Sequence, residues 1–238
     1  MSYQYVFKRY EIKYLISRKQ KEQLLQSMQT YMQADAYGRS TIGNIYFDTS
    51  DFLLIRRSIE KPVYKEKLRL RSYGVATPDS PTFVELKKKY QSIVYKRRIE
   101  MPEQQAMRYL AGKESVADTQ IAREINYTLT LYAPLQPIIF LSYEREAFYG
   151  RDDHAFRVTF DENILWRNTD LSLCKGIYGT PILQSDQVLM EIKTSTSIPL
   201  WMVTLLSENH MYKTSFSKYG NAYQAILAGK HTGGMRYA

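Results

Sequence analysis

Alternation of apolar and polar positions recurs along this chain and predicts several strands with one charged face. Phe7–Ile16 sets Tyr10, Ile12 and Tyr14 against Arg9, Glu11 and Lys13. Lys65–Gly74 sets Leu68 and Leu70 against Lys65, Lys67, Arg69 and Arg71. Thr82–Lys89 opposes Val84 and Leu86 to Glu85, Lys87 and Lys89, and Ile93–Glu100 carries Lys96 and Arg98 on one face. Pro137–Tyr149 places Tyr143 with Arg145. Ala155–Glu162 opposes Phe156, Val158 and Phe160 to Arg157, Thr159 and Asp161, and Gln187–Thr194 opposes Val188, Met190 and Ile192 to Glu191 and Lys193. Successive strand side chains point to opposite faces, so each segment can bury one face and must aim the other at something wet. Gly43–Asp48 reads as a shorter strand.

Helical spacing interrupts this pattern. Ser17–Gln33 begins with a capping box, Ser17 and Gln20, and carries Leu24, Leu25, Met28 and Met32 as a stripe. Further helices are predicted at Phe52–Ser58, Glu103–Ala111, Asp118–Leu131, Leu200–Asn209 and Ser217–Ala228, the last with Ser217 at its N-cap and Gly229 as its stop. Thr77–Pro81 is a loop, and a turn falls near Gln91-Ser92. No linker or composition shift divides residues 1–238, which read as one domain. Short connections between strands predict an antiparallel meander, and helices that cover rather than alternate with strands predict an α+β fold.

Charge changes the picture most. The 238 residues include 33 Lys+Arg against 24 Asp+Glu, a formal net charge of +9, which predicts an anionic partner. Cys174 is the only cysteine, excluding an intramolecular disulfide and a cysteine-based zinc site. His154, His210 and His231 form no ligand spacing. The absence of an apolar leader or a long apolar run predicts a cytoplasmic protein without a membrane segment.

Lys65–Gly74 alone could be a solvated edge strand, with lysines discouraging aggregation. The repetition of the pattern on other strands decides against that. Helices with apolar stripes need the apolar strand faces, so the charged faces are expected to curl inward. A closed antiparallel barrel of this kind has a cationic lumen dotted with carboxylates, suited to a polyphosphate-like ligand. Carboxylates beside phosphate call for a bridging divalent cation, Mg²⁺ or Mn²⁺.

The motifs RYEIKY (Arg9–Tyr14), IYFDT (Ile45–Thr49), EKLRLRSYG (Glu66–Gly74), VELKKK (Val84–Lys89) with YKRR (Tyr95–Arg98), YERE (Tyr143–Glu146) with FRVTFD (Phe156–Asp161), MEIK (Met190–Lys193) and FSKY (Phe216–Tyr219) occur in this order. Together they resemble the VTC domain family, the polyphosphate polymerase branch of the triphosphate tunnel metalloenzymes, which are CYTH-like. The resemblance implies an eight-stranded antiparallel β tunnel wrapped by helices. It carries phosphate-contacting roles onto Lys13, Arg69, Arg71, Lys87, Lys96, Arg98, Tyr143, Arg145 and Arg157, with Ser217 and Lys218 as a last contact near a helix start. Lys67, Lys89 and Lys193 are further candidates for substrate binding. Glu191 matches the metal-binding glutamate, and Glu85 is a second candidate. The wider superfamily opens with Glu-x-Glu-x-Lys, whereas this chain has Arg9-x-Glu11-x-Lys13, a loss shared with the polymerase branch. The SPX and membrane domains of eukaryotic members are not part of this sequence, which points to separately encoded partner proteins.

The expected activity is therefore transfer of the ATP γ-phosphate to a polyphosphate chain. Hydrolysis of an inorganic or nucleoside triphosphate is the alternative, and a non-catalytic polyphosphate or nucleotide sensor is another. Nucleic acid is not the expected partner, because the cations share strand faces with carboxylates. Among individual side chains, Glu11 is expected to pair with Lys13, while Glu85 either pairs with Lys87 or joins the metal. Asp161 faces the lumen or caps the following turn, Glu144 and Glu146 belong at the surface, and Tyr46 and Asp48 read as structural.

Overall fold

The computed structural model describes residues 10–91 and 93–233, excluding the side chains of 230–233. Phe7–Arg9 of the first expected strand, Ser92 of the expected turn and the His231 side chain lie outside the described residues. In chain order the elements are β1 (Tyr10–Ser17), α1 (Arg18–Met28), β2 (Met32–Ala34), β3 (Ser40–Asp48), α2 (Leu53–Ile59), β4 (Tyr64–Tyr73), β5 (Pro81–Tyr90), β6 (Ile93–Pro102), α3 (Glu103–Leu110), α4 (Gln120–Leu131), β7 (Gln136–Gly150), β8 (Arg157–Arg167), β9 (Thr180–Pro181), β10 (Gln187–Thr194), α5 (Leu200–Glu208), β11 (Lys213–Thr214) and α6 (Lys218–Gly233). A 3₁₀ turn spans Leu173–Lys175.

One antiparallel sheet runs β11-β1-β10-β8-β7-β3-β4-β5-β6, with β2 added to β7 and β9 to β8. The expected closed barrel is not present: among the described residues no ladder joins β6 to β1 or β11. The seam is taken by the chain's own C-terminal part. Strand β11 occupies the outer edge of β1, pairing Thr214 with Lys13. The connection to α6 then spans from β1 to β4: Lys13 Nζ donates to Phe216 O at 2.8 Å and Lys67 Nζ to Ser217 Oγ at 3.2 Å. A β6–β1 ladder has no place there, and side chains bridge the gap instead.

Burial decides which face of each strand turns inward. Leu68 and Leu70 of β4 are fully buried on the convex side with Val84 and Leu86 of β5, under α3 and α4. Each contributes about 1.5–3 kcal/mol by leaving water. Turning β4 over would expose both leucines and bury four cations. Tyr14, Ile16, Val158, Phe160, Met190 and Ile192 form a second convex cluster under α1 and α5.

A third cluster corrects the expectation that helices cover only the apolar faces. Ile139, Leu141, Ile164 and Leu189 lie on the concave side and pack against Ile55 of α2 and Tyr219, Ala222 and Tyr223 of α6. Leu189 shares its strand face with Glu191, so alternation alone makes part of the charged face apolar. Asn163, at φ 48°, together with a register shift between Ser142 and Glu144, turns Ile164 inward as well. Asp48 pins both helices there. Its carboxylate accepts from the backbone N–H of Leu54 at 2.8 Å and Ile55 at 3.0 Å, and from the Tyr219 hydroxyl at 2.8 Å.

Local corrections follow the same logic. The capping box forms as expected, with Gln20 N donating to Ser17 Oγ at 3.1 Å and Ser17 N to Gln20 Oε1 at 2.9 Å. The helix stops at Met28, because Met32–Ala34 pairs with β7 instead. Helix α6 runs past Gly229 to Gly233. Glu146, expected at the surface, pairs with the buried Lys21 of α1, which also lies 2.5 Å from the buried Glu162.

Candidate active site

The β4–β5 wall of the concave face is built around Glu85. Arg69 donates from Nε and Nη2 to Glu85 Oε2 at 2.8 and 2.7 Å, and from Nη1 to the Tyr46 hydroxyl at 3.1 Å. Arg71 donates to Asn44 Oδ1 at 2.9 Å and to the Tyr143 hydroxyl at 3.0 Å. It stands 3.8 Å from Glu85, and Lys96 Nζ lies 2.5 Å from Glu85 Oε1. Burial by itself would raise the Glu85 carboxyl, but Arg69, Arg71 and Lys96 outweigh it and hold the group well below the carboxylate range. Burial also pushes the Tyr46 phenol up, yet Arg69, Lys67 and Arg71 bring it down to about 8.

The β8–β10 wall holds two carboxylates in different states. Asp161, fully buried, accepts bidentately from Arg145 at 2.6 Å on each oxygen and lies 2.5 Å from Lys218. It therefore faces the lumen rather than capping a turn. Glu191 is also surrounded by cations, but at longer range: Lys218 at 3.4 Å, Lys13 and Lys193 at 3.6 Å, and Arg145 at 3.7 Å. Against burial, which would raise it, Lys218, Lys193, Lys13 and Arg145 keep this carboxyl well below its ordinary value. Desolvation lowers the Lys67 ammonium to about 8, with Lys87 and Lys13 adding to the effect, and it lowers Lys193 to about 8 despite Glu191.

Lys13, Lys67, Arg69, Arg71, Tyr143, Arg145, Glu191, Lys193, Ser217 and Lys218 thus line one concave region. Lys87 and Lys96 stand at its rim, more than a third exposed. Lys87 reaches across the seam to Glu11 at 3.3 Å, and Glu11 also lies 3.4 Å from Lys13, the pairing expected for it. Lys89 stands opposite Lys65 at the strand end. Arg157 stands opposite Lys193 in the β8–β10 ladder, 3.7 Å from Asp35, and is 40 % exposed. Arg98 lies over the Phe83 ring at 3.4 Å. Glu85 pairs with Arg69, Arg71 and Lys96 rather than with Lys87.

Asn44 was not singled out from the sequence, and Tyr46 was read there only as structural. Asn44 and Tyr46 fix the guanidinium planes of Arg71 and Arg69, and Tyr46 also stacks on Tyr219 at 4.7 Å. Their signal was the inward phase of GNIYFD, where Asn44 and Tyr46 alternate with Ile45 and Phe47.

The donor set discriminates among sites for a divalent cation. Among the described residues no three His, Cys, Asp or Glu side chains converge as a protein-only cage. Mg²⁺ and Mn²⁺ do not need one, since one or two carboxylates plus phosphate oxygens complete their shell. Asp161 is held on both oxygens by Arg145 and Lys218 at 2.5–2.6 Å. Glu85 is ion-paired with Arg69 on Oε2 at 2.7–2.8 Å and with Lys96 on Oε1 at 2.5 Å, though Oε1 accepts no hydrogen bond among the described residues. Among the described residues Glu191 has no cation nearer than 3.4 Å, and it is 6 % exposed. Its oxygens fit the group; those of Glu85, the second candidate, have cations at closer range.

Comparison with known proteins places this geometry. The family model of the VTC domain matches residues 8–227. The chain is 24 % identical to vacuolar transporter chaperone complex subunit 4 of Trypanosoma cruzi, over 79 % of this chain and 28 % of that protein. The Schizosaccharomyces pombe subunit 4 is also 24 % identical, over 76 % of this chain and 31 % of that protein. This chain thus spans less than a third of the length of either relative. Among solved structures, a candidate adenylate cyclase from Bacillus halodurans superposes with a TM-score of 0.57 at 16 % identity, covering 90 % of this chain and 96 % of that one. A candidate adenylyl cyclase from Hippeastrum, described as having a dominant triphosphatase activity, superposes at 0.51 with 15 % identity, covering 88 % and 92 %. At these identities the structural likeness shows the fold.

Proposed function

The chain belongs to the VTC domain family, and on that premise we propose that its concave site transfers the γ-phosphate of ATP to a growing polyphosphate chain. The observation that carries this reading is the convergence of Lys13, Lys193, Lys218 and Arg145 on a single carboxylate, Glu191, that none of them saturates. Phosphoryl transfer needs mainly positioning and charge neutralisation. Arg145 and Arg71 have Nε and Nη2 tied down by neighbours, which fixes their planes and leaves Nη1 to meet a phosphate oxygen. Lys218 and Lys13 supply charge from the β1 and α6 side. A divalent cation, Mn²⁺ or Mg²⁺, held by Glu191 would neutralise charge on the phosphate oxygens. The terminal phosphate oxygen of the acceptor attacks the γ-phosphorus, and the β–γ bridging oxygen leaves with ADP. No nucleophilic side chain is needed, which suits a concave face lined by Lys, Arg, Tyr and carboxylates.

Hydrolysis by the same site is a second reading, favoured by the unpaired seam, where Lys87 and Glu11 are 39 % and 26 % exposed and water has access. Incubation with ATP and Mn²⁺, with products resolved on a gel, separates the two. A ladder of lengthening chains is expected, dependent on metal and lost in EDTA. ADP and free phosphate without a ladder would assign hydrolysis, and binding without turnover would assign a sensor. The relatives are named as subunits of a vacuolar transporter chaperone complex, which supports separately encoded partner proteins for this chain too. No helix among the described residues is long and apolar enough to cross a membrane.

A further inference from the structure

We propose that Tyr73, Phe83 and Arg98 form a nucleobase platform at one mouth of the channel. It seats the base of a nucleoside triphosphate while the phosphates run inward along Arg71 and Arg69. The proposal rests on the reading that the channel binds a triphosphate.

The strand phase places these residues at the channel. On β4 the alternation that turns Lys67, Arg69 and Arg71 inward gives Tyr73 the same face. On β5, Phe83 precedes Glu85 in the same phase, and the register sets Phe83 opposite Arg71. Tyr73 meets Phe83 edge-on, with ring centroids 5.7 Å apart and planes at 72°. The Arg98 guanidinium lies 3.4 Å from the Phe83 centroid.

Arg98 is set apart from the deeper arginines. Arg69 and Arg145 are hydrogen-bonded to carboxylates, and Arg71 stands within 3.8 Å of one. Arg98 has an aromatic ring beneath it and no carboxylate within ion-pair distance among the described residues. Its donors are open to a ligand while its plane is held by the ring. Phe83 is 8 % exposed and backs the cluster, whereas Tyr73 is 52 % exposed and offers an accessible aromatic surface. A planar base finds there a ring to stack on and a guanidinium beside it, and the first phosphate-directed arginine stands next in line.

The opposite ends of the same strands are different. There the inward positions are Lys65 and Lys67 on β4 against Lys89 and Lys87 on β5, with no aromatic among them. That end is chemistry for phosphate alone, so the channel is polar in what it recognises. Stacking reads the face of a base rather than its edge, and the platform therefore serves ATP and GTP alike.

Titration of the full chain with ATP and, separately, with tripolyphosphate tests this, comparing the unaltered protein with Tyr73→Ala, Tyr73→Phe and Arg98→Gln. Tyr73→Ala is expected to weaken ATP by about fivefold or more, the lower end of what one lost base–aromatic stack costs. Tripolyphosphate should hold within about twofold, and Tyr73→Phe should retain ATP affinity. Arg98→Gln should weaken ATP more than tripolyphosphate, since the platform assigns Arg98 to the base rather than to the phosphate contact that the family resemblance implies for it. Equal weakening of both ligands, or no change for ATP, would overturn the platform while leaving the triphosphate site standing. If the unaltered protein binds neither ligand, the triphosphate reading falls and takes the platform with it. Thermal melting controls for folding, and the exposure of Tyr73 predicts little change.

Discussion

Glu85 and Glu191 sit on different walls of one channel, both nearly inaccessible and both surrounded by Lys and Arg, yet their neighbours bind them differently. Around Glu85, Arg69 and Lys96 close to 2.5–2.8 Å, and Tyr46 and Asn44 lock the two arginines behind it. Around Glu191 every cation among the described residues stops at 3.4 Å or beyond, because Lys218 and Arg145 are drawn to Asp161 and Lys13 to the carbonyl of Phe216. One wall has spent its carboxylate on holding its arginines. The other keeps a carboxylate in reserve. Similar composition thus yields a structural ion pair on one side and a candidate ligand on the other.

The largest expected effect is on chemistry. Glu191→Gln should reduce metal-dependent turnover by about a hundredfold or more, since it removes the carboxylate assigned to the cation. Turnover assays across a Mn²⁺ titration check this, and unchanged activity would remove Glu191 from the metal assignment. Glu85→Gln should instead act on the fold. It strips Arg69, Arg71 and Lys96 of a buried counter-charge, a loss of about 3–5 kcal/mol. Urea unfolding of the two variants side by side should place the greater stability loss on Glu85→Gln. The reverse order would break the distinction between the walls.

A smaller effect follows from pH. Lys67 and Lys193 are lowered from 10.5 to about 8 by burial. Below that value both are charged and available to phosphate. As pH rises through about 8 they lose protons, so tripolyphosphate affinity should fall about tenfold between about pH 7 and about pH 9.5. Their contribution to stability has the opposite sign. The unfolded chain binds more protons between about 8 and 10.5, so over that window these two groups favour the fold increasingly as pH rises. Calorimetric titration with tripolyphosphate and denaturant melts over the same range should therefore move in opposite directions. Lys193→Met should reduce the slope of the binding profile, which sharpens the contrast between this wall and that of Glu85.

Much of the wall was legible in the sequence. Alternation in KEKLRLRSYG and VELKKK is enough to separate leucines from cations, because strand side chains have a strict period of two and buried leucines fix the phase. The capping box at Ser17 and Gln20 was equally local. The seam was not legible, because whether a curled sheet closes depends on what reaches its edges. Here β11 and the segment leading to Ser217 arrive from far along the chain. Nor was the concave apolar cluster. Leu189 and Leu141 lie in phase with charged residues, and only the burial of α6 against them explains their place.

What the sequence by itself determined is the sign and direction of the wall. Phase and hydrophobic burial aim Lys67, Arg69 and Arg71 to one side of β4 whatever else the chain does. Tertiary structure decided which carboxylate is spent and which is left open. That outcome depends on tenths of an ångström between charges brought together from distant strands, and charge attraction at such range is settled by the competition of all neighbours at once. Asp161 wins Arg145 and Lys218, and Glu191 is left with the remainder of their field.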